Sequence, residues 1–406
     1  MTKRIAVIGA GAAGTMAAIA ASGAGAEVVL LERTRDGGRK ILISGGGRCN
    51  VLPARLDETR FVTGSSPHTL RKILRSWPLA EQVAFFERDL GLPLVEEAGS
   101  GKLFPRSDRA RDVRDGLLAL AARRGARLVP HALVTGLIAD GGSWRVILEG
   151  AAPVEADAVI VATGGLSVPT TGSDGRGLSI LAGLGHTIHP TYPALTPVTC
   201  DPPAFADLSG VSLTATVTAR DAVRQATATG GFLFTHRGYS GPAVLDVSHV
   251  LVRARMEGRG ARLTVQWTAA DAEAWDERLR GQGARTVLGT VRRALPERLG
   301  TRLAGEAGVA ADRPIAQLRR EERRALVAAL TDFALPWTGD EGYRKAEVTG
   351  GGVDLAEVDP RTLESRKAPG VFLCGELLDA FGPIGGYNFC WAWATGRAAG
   401  MGAAAS

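Results

Sequence analysis

The pattern that most restricts the fold of this chain lies within residues 4–32. An apolar run over 4–8 is followed by the series Gly9-Ala10-Gly11-Ala12-Ala13-Gly14, an alanine-rich stretch, and a second apolar run that ends at Glu32. This order predicts a strand, a tight turn, a helix and a second strand. Gly9 permits the turn, Gly11 lets an anion approach the helix start, and Gly14 lets helix and strand pack. We therefore expect an α/β domain that binds a dinucleotide.

Two later apolar runs also end in glycine. One runs from Asp157 to Ala162-Thr163-Gly164-Gly165, and the other from Val371 to Cys374-Gly375-Glu376. Because parallel strands meet at one crevice, glycines at their ends admit a long dinucleotide, with Glu32 accepting hydrogen bonds from its ribose. This arrangement favours FAD over NAD. No second GxGxxG follows a strand, so NAD(P)H, if it is the electron donor, is expected to bind transiently near the flavin.

The order of patterns along the chain predicts an α/β protein in which one domain interrupts another. Prolines mark a boundary near 190, apolar residues alternate after 211, a helical period starts near 270, and glycine-rich turns return at 349. The expected parts are a Rossmann-type FAD-binding domain (1–190 and 349–406), an inserted β-rich, barrel-like domain (191–268 and 337–348), and a small helical subdomain (269–336).

Cysteine usage and hydropathy exclude several classes of protein. The four cysteines form no CxxC pair and no zinc-like cluster, so we expect no metal site and a reducing, cytoplasmic location. The loop 44–50 holds only Cys49, where dithiol flavoprotein reductases carry two cysteines, so disulfide reduction is disfavoured. The chain has no apolar run of about 18 residues, which argues against a membrane span.

Five longer strings make the chain similar to a known family. They are KILISGGGRCN over 40–50, TGSDG over 171–175, FTHRGYSGP over 234–242, TGGGV over 349–353 and GGYN over 385–388. With these strings the chain resembles the BaiN/YhiN-type flavoproteins, often called aminoacetone oxidase family FAD-binding enzymes, over essentially its whole length. The resemblance implies an FAD-binding domain built from both chain ends and interrupted by a β-rich domain with a helical insert.

Residue patterns and resemblance together give the expected contacts with FAD. The expected cofactor-binding residues are Gly9, Ala10, Gly11, Ala13, Gly14, Glu32, Arg33, Lys40, Ser44, Gly45, Gly46, Arg48, Cys49, Asn50, Val134, Ala162, Thr163, Gly164, Gly375, Glu376, Gly385, Gly386, Tyr387 and Asn388. Cys390 departs from the family pattern, in which Gln usually stands there, so the role of that glutamine beside the isoalloxazine is open in this chain.

Three side chains are candidate catalytic groups, each with a structural alternative. Cys49 is a candidate proton donor or a small buried residue beside the cofactor. His236 is a candidate acid or substrate ligand, or a hydrogen-bonded residue at a strand end. Tyr387 is expected at the cofactor, with substrate contact as a second role. Arg48 either neutralises the pyrophosphate or a reduced flavin, or forms a salt bridge within its loop.

The resemblance implies reduction of steroid-like carbon–carbon double bonds or of a uracil in ribosomal RNA to dihydrouridine. We predict an FAD-dependent reductase of an activated carbon–carbon double bond, with NAD(P)H as the electron donor. A small-molecule oxidase whose FAD is reoxidised by oxygen and a non-catalytic flavin-binding protein remain alternatives. Residues 285–324 contain ten arginines and five acidic residues, in a chain whose formal net charge is +6. This concentration indicates either an RNA surface or a solvated helix face. The expected partner is therefore a small-molecule substrate or ribosomal RNA.

Overall fold

The computed structural model describes residues 2–281 and 284–406. The chain forms two compact units. The terminal unit comprises the residues up to Tyr192 together with Val348–Ser406, and the middle unit is Pro193–Glu347.

Strands and helices are numbered here in chain order. The strands are Arg4–Ile8 (β1), Glu27–Leu31 (β2), Leu52–Pro53 (β3), Leu94–Glu97 (β4), Lys102–Pro105 (β5), Arg127–Val129 (β6), Val134–Asp140 (β7), Ser143–Leu148 (β8), Val154–Ala156 (β9), Ala158–Val161 (β10), Ile188–Ala194 (β11), Val198–Thr199 (β12), Ser212–Arg220 (β13), Gln225–Thr235 (β14), Gly238–Ser240 (β15), Arg262–Gln266 (β16), Phe333–Leu335 (β17), Gly339–Asp340 (β18), Val348–Val353 (β19) and Val371–Leu373 (β20). The helices are Ala12–Gly23 (α1), Arg39–Ile43 (α2), Pro67–Arg75 (α3), Leu79–Ala84 (α4), Ala110–Arg123 (α5), Arg176–Gly183 (α6), Pro242–Met256 (α7), Ala272–Arg278 (α8), Val287–Val291 (α9), Glu297–Glu306 (α10), Arg320–Thr331 (α11) and Tyr387–Ala405 (α12).

A parallel sheet of five strands forms the centre of the terminal unit. Its order is β20-β10-β1-β2-β6, and Val7 of β1 lies opposite Ile160 of β10 and Leu30 of β2. Every residue of β10 is buried, as expected for a strand covered on both faces. Two three-stranded antiparallel sheets, β3-β5-β4 and β7-β8-β9, and the pair β11-β19 complete the unit.

Helices α1 and α12 pack closely because small residues line their contact. A Cβ on Gly396 of α12 would lie 2.3 Å from the carbonyl oxygen of Ala13, and one on Gly400 would lie 2.4 Å from that of Ala17. Glycine at both positions therefore lets the backbones approach. Although α12 is the longest helix among the described residues, none of their helices combines the length and hydropathy needed to cross a bilayer.

The middle unit is built on an antiparallel sheet of seven strands. Its order is β17-β16-β13-β14-β15-β12-β18, and α7 packs against β13 and β14. Phe232 and Phe234 of β14 and Trp267, which follows β16, share one hydrophobic core with Trp275 of α8 and Leu330 of α11. The fold class predicted from sequence, a Rossmann-type domain with an inserted β-rich region that carries helices, is confirmed.

Candidate functional site

The expected cofactor residues all lie in the terminal unit. They occupy the segments Gly9–Gly14, Glu32–Arg33, Lys40, Ser44–Asn50, Val134, Ala162–Gly164, Gly375–Glu376 and Gly385–Asn388. Four of these segments directly follow β1, β2, β10 and β20, which are four neighbouring parallel strands of one sheet. Their carboxyl ends therefore share one edge, where ligands bind in open α/β sheets.

The three glycines of the first turn are required for different reasons. Gly9 has φ +100°, and a Cβ there would lie 2.7 Å from the carbonyl oxygen of Ala162. A Cβ on Gly14 would lie 1.8 Å from the carbonyl oxygen of Gly9, so the helix can pack on the strand only without it. Apart from Gly11 itself and the chain beside it, no atom of the described residues lies within 4 Å of the Cβ position of Gly11. Protein packing thus explains Gly9 and Gly14, whereas the space at Gly11 is free for a ligand.

The start of α1 offers backbone donors to this space. Its N-cap is Gly11, which has no side chain to cap the helix, and the first bond of the helix runs from the N–H of Thr15 to the carbonyl oxygen of Gly11 at 2.9 Å. The preceding N–H groups consequently have no partner within the helix. Such N–H groups, at the positive end of a helix dipole and beside an open cradle, fit the pyrophosphate of FAD.

Glu32 ties the first turn to the end of β2. One carboxylate oxygen accepts from the N–H of Ala10 at 2.9 Å, and the other accepts from the N–H and hydroxyl of Thr34 at 2.8 and 2.7 Å. A carboxylate has roughly four acceptor positions, so one remains after these three bonds. The remaining position is compatible with the expected hydrogen bond from a ribose hydroxyl.

A largely buried ion pair joins four segments at the sheet edge. The ammonium of Lys40 lies 2.7 Å from the carboxylate of Glu376, which also accepts from the hydroxyl of Ser167 at 2.5 Å and the N–H of Thr349 at 3.0 Å. The hydroxyl of Thr349 in turn accepts from the N–H groups of Leu166 and Ser167, at 2.7 and 3.1 Å. We call Lys40, Ser167, Thr349 and Glu376 the edge network.

The charge state of the edge network follows from its contacts. Burial alone raises the pKa of the Glu376 carboxyl, but the Lys40 ammonium and the hydrogen bonds from Ser167 and Thr349 outweigh it, so the pKa lies below its usual value. Glu376 is therefore ionised at neutral pH. Ser167 and Thr349 were missed as site residues in the sequence, although each adjoins a glycine-rich strand end.

The glycine loop after α2 is held by its arginine. Gly45 and Gly46 have left-handed backbone conformations, with φ 55° and 68°. Arg48 forms ion pairs with Glu97 at 2.9 Å and Asp108 at 3.7 Å, and its guanidinium lies 4.2 Å from the ring centre of Phe104. Arg48 thus forms salt bridges to β4 and to the loop that follows β5, outside its own loop, and its contact with the cofactor stays a prediction.

Cys49 is completely buried, with a left-handed φ of 63°. Burial raises the pKa of its thiol to about 12, and a hydrogen bond with Ser44 opposes the shift. The thiol therefore keeps its proton at neutral pH. Its environment matches the alternative of a small buried residue.

The start of α12 brings the last expected segment to the glycine loop. Gly385 and Gly386 have φ 121° and 86°, and the amide of Asn50 is placed to accept from the N–H of Gly386 at 3.0 Å. Asn388 bonds through both amide atoms to the backbone of Gly382, each at 2.9 Å. Tyr387 is buried, and its hydroxyl lies 3.4 Å from the carbonyl oxygen of Arg55. The side chains of Asn50, Tyr387 and Asn388 are thus held by polar contacts within the protein.

Helix α12 also positions the segment after β20. The hydroxyl of Thr395 accepts from the N–H of Gly375 at 3.0 Å, and the indole of Trp391 donates to the carbonyl oxygen of Gly375 at 3.1 Å. Cys390 is fully buried, burial raises the pKa of its thiol to about 12, and a hydrogen bond with Gln82 opposes the shift. Position 390 therefore points toward α4, the helix that carries Gln82.

The remaining predicted site residues are Val134, Arg33 and His236. Val134 begins β7 and is buried, while Arg33 donates to the carbonyl oxygen of Gly172 at 3.3 Å and pairs with Asp174. His236 lies in the middle unit, in the turn between β14 and β15, and its side chain is exposed. Tyr239 nearby is buried and donates to the carbonyl oxygen of Pro336 at 3.0 Å.

Comparison with solved structures supports the fold. The chain resembles the open conformation of a flavocytochrome c3 fumarate reductase with a TM-score of 0.51 and 16% identity, covering 100% of this chain and 78% of the other. At this identity the likeness concerns the fold alone.

Comparison with known sequences gives the family. The family described as HI0933-like protein Rossmann domain matches residues 3–402. The chain is 33% identical to 3-dehydro-bile acid delta(4,6)-reductase of Clostridium scindens, covering 99% of both proteins. It is also 33% identical to ribosomal RNA dihydrouridine synthase of Escherichia coli, covering 96% of this chain and 95% of that protein. The resemblance found in the motifs is confirmed, and the chain belongs to the HI0933-like Rossmann family of FAD-binding oxidoreductases, the BaiN/YhiN type.

Proposed function

We propose that this protein reduces an activated carbon–carbon double bond with electrons from NAD(P)H, and that its substrate is a uracil base in ribosomal RNA. The observation that carries the proposal is 33% identity, over at least 95% of each chain, to both a delta(4,6)-reductase and a ribosomal RNA dihydrouridine synthase. Both names describe the addition of two hydrogen atoms to a carbon–carbon double bond. For the RNA enzyme this follows because dihydrouridine has two more hydrogen atoms than uridine. The shared chemistry supports reduction, and the second name supports the RNA base as substrate.

The cofactor contacts that we propose are the residues expected from the sequence. The N–H groups at the start of α1 and the space beside Gly11 hold the pyrophosphate, and Glu32 accepts from the adenosine ribose. These residues would hold FAD, which would supply the hydride chemistry for reducing the double bond, with NAD(P)H as the proposed electron donor. The edge network fixes the segments that follow β10 and β20, so that their glycines keep their approach to the cofactor.

The second carbon of the double bond needs a proton from an acid. Among the three candidates, Cys49 is completely buried and Tyr387 is buried with its hydroxyl near the carbonyl oxygen of Arg55. His236 is exposed in its turn. We assign the proton transfer to His236, because a general acid must reach the substrate. We assign Cys49 to packing and Tyr387 to the cofactor side.

The test is mass spectrometry of ribosomal RNA from a strain that lacks this gene. We expect one uridine to lose the two-dalton increase of dihydrouridine, and the wild-type gene to restore it. A gene carrying His236→Gln is expected to restore it only weakly although the purified variant keeps its FAD. An unchanged spectrum in the deletion strain contradicts the RNA substrate.

A polycyclic enone is the second candidate substrate. It is favoured by the match to the bile acid reductase, which covers 99% of both proteins at the same identity as the RNA enzyme. Anaerobic enzyme reduced by NAD(P)H distinguishes the two candidates. Rapid flavin reoxidation by a conjugated steroid ketone, with no reoxidation by ribosomal RNA from the deletion strain, would replace the first proposal by the second.

A further inference from the structure

One segment of the middle unit, residues 285–324, carries most of the net positive charge of the chain. Residues 285–324 have ten arginines and five acidic residues, an excess of +5 in a chain of net charge +6. An excess of arginines has two explanations. The arginines either form ion pairs within the protein or form a surface that binds a polyanion. The contacts of each arginine distinguish them.

Five of the ten arginines have partners within the protein. Arg302 pairs with Glu306 at 2.9 Å and Asp207 at 3.3 Å, and its guanidinium lies 4.6 Å from the ring centre of Phe205. The others in this group are Arg298 with the carbonyl oxygen of Asp207, Arg313 and Arg319 with Glu322, and Arg323 with Asp276. These arginines stabilise the packing of the helices and loops of the middle unit.

The other five arginines are exposed and have no ion pair or side-chain hydrogen bond within residues 2–281 and 284–406. They are Arg285, Arg292, Arg293, Arg320 and Arg324. We call them the free arginines. Three acids of the same segment, Glu297, Asp312 and Glu321, also lack ion pairs among the described residues, so five positive charges stand against three negative ones.

The free arginines occupy exposed positions just before α9, just after α9 and on α11. Arg292 and Arg293 follow directly after α9. Arg320 and Arg324 are one turn apart on α11, whose buried residues begin at Leu326. Arg285 is connected to the segment that leads into α11, because its carbonyl oxygen accepts from the N–H of Ile315 at 2.9 Å.

We propose that the free arginines form a surface that binds the phosphate backbone of RNA. The proposal rests on the proposed function and names where the RNA substrate is held. Guanidinium groups bind phosphate oxygens through paired hydrogen bonds, and such contacts position a nucleic acid without reading its sequence. An enzyme that acts on one base must also unstack it, and phosphate contacts elsewhere on the RNA offset the cost of unstacking. The five paired arginines have no part in this surface.

The experiment compares two variants with the same change in charge. The first replaces the five free arginines by Gln: Arg285→Gln, Arg292→Gln, Arg293→Gln, Arg320→Gln and Arg324→Gln. The control replaces five exposed arginines of the terminal unit that also lack ion pairs among the described residues: Arg88→Gln, Arg106→Gln, Arg111→Gln, Arg123→Gln and Arg127→Gln. The holoenzymes are titrated with protein-free ribosomal RNA from the deletion strain over a range of salt concentrations, and FAD content is measured on each.

We expect the free-arginine variant to bind about 20- to 100-fold more weakly at 0.1 M salt, if two or three of its arginines contact phosphates of a single strand. The slope of the logarithm of the binding constant against the logarithm of the salt concentration is expected to flatten by about 0.7 for each lost contact. The control is expected to keep the wild-type affinity and slope. Both variants are expected to retain FAD and reduction of the flavin by NAD(P)H.

Three results contradict the proposal that the free arginines form an RNA-binding surface. Equal weakening of RNA binding in both variants shows that net charge alone determines binding. Unchanged RNA binding by the free-arginine variant shows that RNA is held elsewhere. Displacement of the bound RNA by polyglutamate as effectively as by free RNA indicates an acidic protein as the partner. The proposed function is judged separately, by the two-dalton shift in cells. Loss of that shift in the deletion strain, together with unchanged RNA binding by the variant, rejects the surface and keeps the function.

Discussion

At the scale of single residues, Gly11 tests the cofactor position most directly. Within the described part of the chain, no atom beyond its immediate neighbours lies within 4 Å of its Cβ position, so a larger side chain there enters the space assigned to the pyrophosphate. We expect Gly11→Val to lose most of its FAD, measured by the flavin absorbance of the purified protein, while the apoprotein melts within a few degrees of wild type.

A matched control is Gly136→Val in β7. The Cβ position of Gly136 is equally free of neighbours, and a strand accommodates valine. This control is expected to keep wild-type FAD content. Normal flavin content in Gly11→Val would reject the pyrophosphate position.

The edge network gives a second prediction at this scale. Glu376→Gln keeps the shape of the side chain but leaves the Lys40 ammonium, 27% exposed, without its counter-charge. We expect the apoprotein to lose about 1–3 kcal/mol of unfolding free energy, because a partly buried charge is left unpaired. Urea unfolding measures this loss.

A double-mutant cycle with Lys40→Met shows whether the loss comes from the pair. The double variant is expected to be more stable than the sum of the two single losses indicates, since neither charge is then left alone. Additive losses would mean that Lys40 and Glu376 act independently and that the pair does not hold the segments together.

At the scale of elements, α12 connects the predicted cofactor segments. Its first turn follows Gly385 and Gly386, its middle binds Gly375 through Thr395 and Trp391, and its glycines pack on α1. A displacement of α12 therefore moves several proposed contacts at once.

Gly396→Ala tests this connection. The new Cβ would lie 2.3 Å from the carbonyl oxygen of Ala13, so α12 must move away from α1. We expect a loss of about 1–3 kcal/mol in unfolding free energy and weaker FAD binding, measured by urea unfolding and flavin titration. Gly305→Ala in α10 is the control, since no described residue outside its own stretch of helix lies within 4 Å of its Cβ position, and alanine there is expected to stabilise by about 0.5–1 kcal/mol. Similar effects in both variants would contradict close packing of α1 and α12.

The elements were predictable from sequence where the signal is local. The turn at Gly9 to Gly14 and the strand before Gly164 each follow from a short run of residues. The edge network was not predictable, because Lys40 lies 127 residues from Ser167 and 336 from Glu376. Nor did the sequence reveal the contact between Gln82 and Cys390, which depends on the packing of two helices.

At the scale of the whole molecule, each unit buries a neutral histidine. In the middle unit, burial lowers the pKa of His249 to about 4, with nearby Arg253 and Arg224 adding to the effect. In the terminal unit, burial lowers the pKa of His186, and its bond with Glu357 opposes the shift. Both units are therefore sensitive to acid through the same residue type.

The sign of the pH dependence follows from these shifts. Below about pH 6.5 the unfolded chain binds a proton at each histidine that the native protein does not, so stability falls as pH decreases. For His249 the loss between about pH 6.5 and 4 is about 3 kcal/mol, at 1.4 kcal/mol per pH unit. Urea unfolding at several pH values measures it.

His249→Gln is expected to flatten this dependence between pH 6.5 and 4, because glutamine stays neutral in both states. His68→Gln is the control, since His68 is exposed on α3. An unchanged slope in His249→Gln would show that other groups cause the acid sensitivity.

The burial of the four cysteines bears on how long the enzyme survives in air. Cys49, Cys200, Cys374 and Cys390 are all buried, and burial raises the pKa of Cys374 as it does those of Cys49 and Cys390. Peroxide oxidises thiolates that water can reach. A reduced flavin that reacts with oxygen would release peroxide beside the protein, so we expect the buried, protonated thiols of Cys49, Cys374 and Cys390 to resist oxidation.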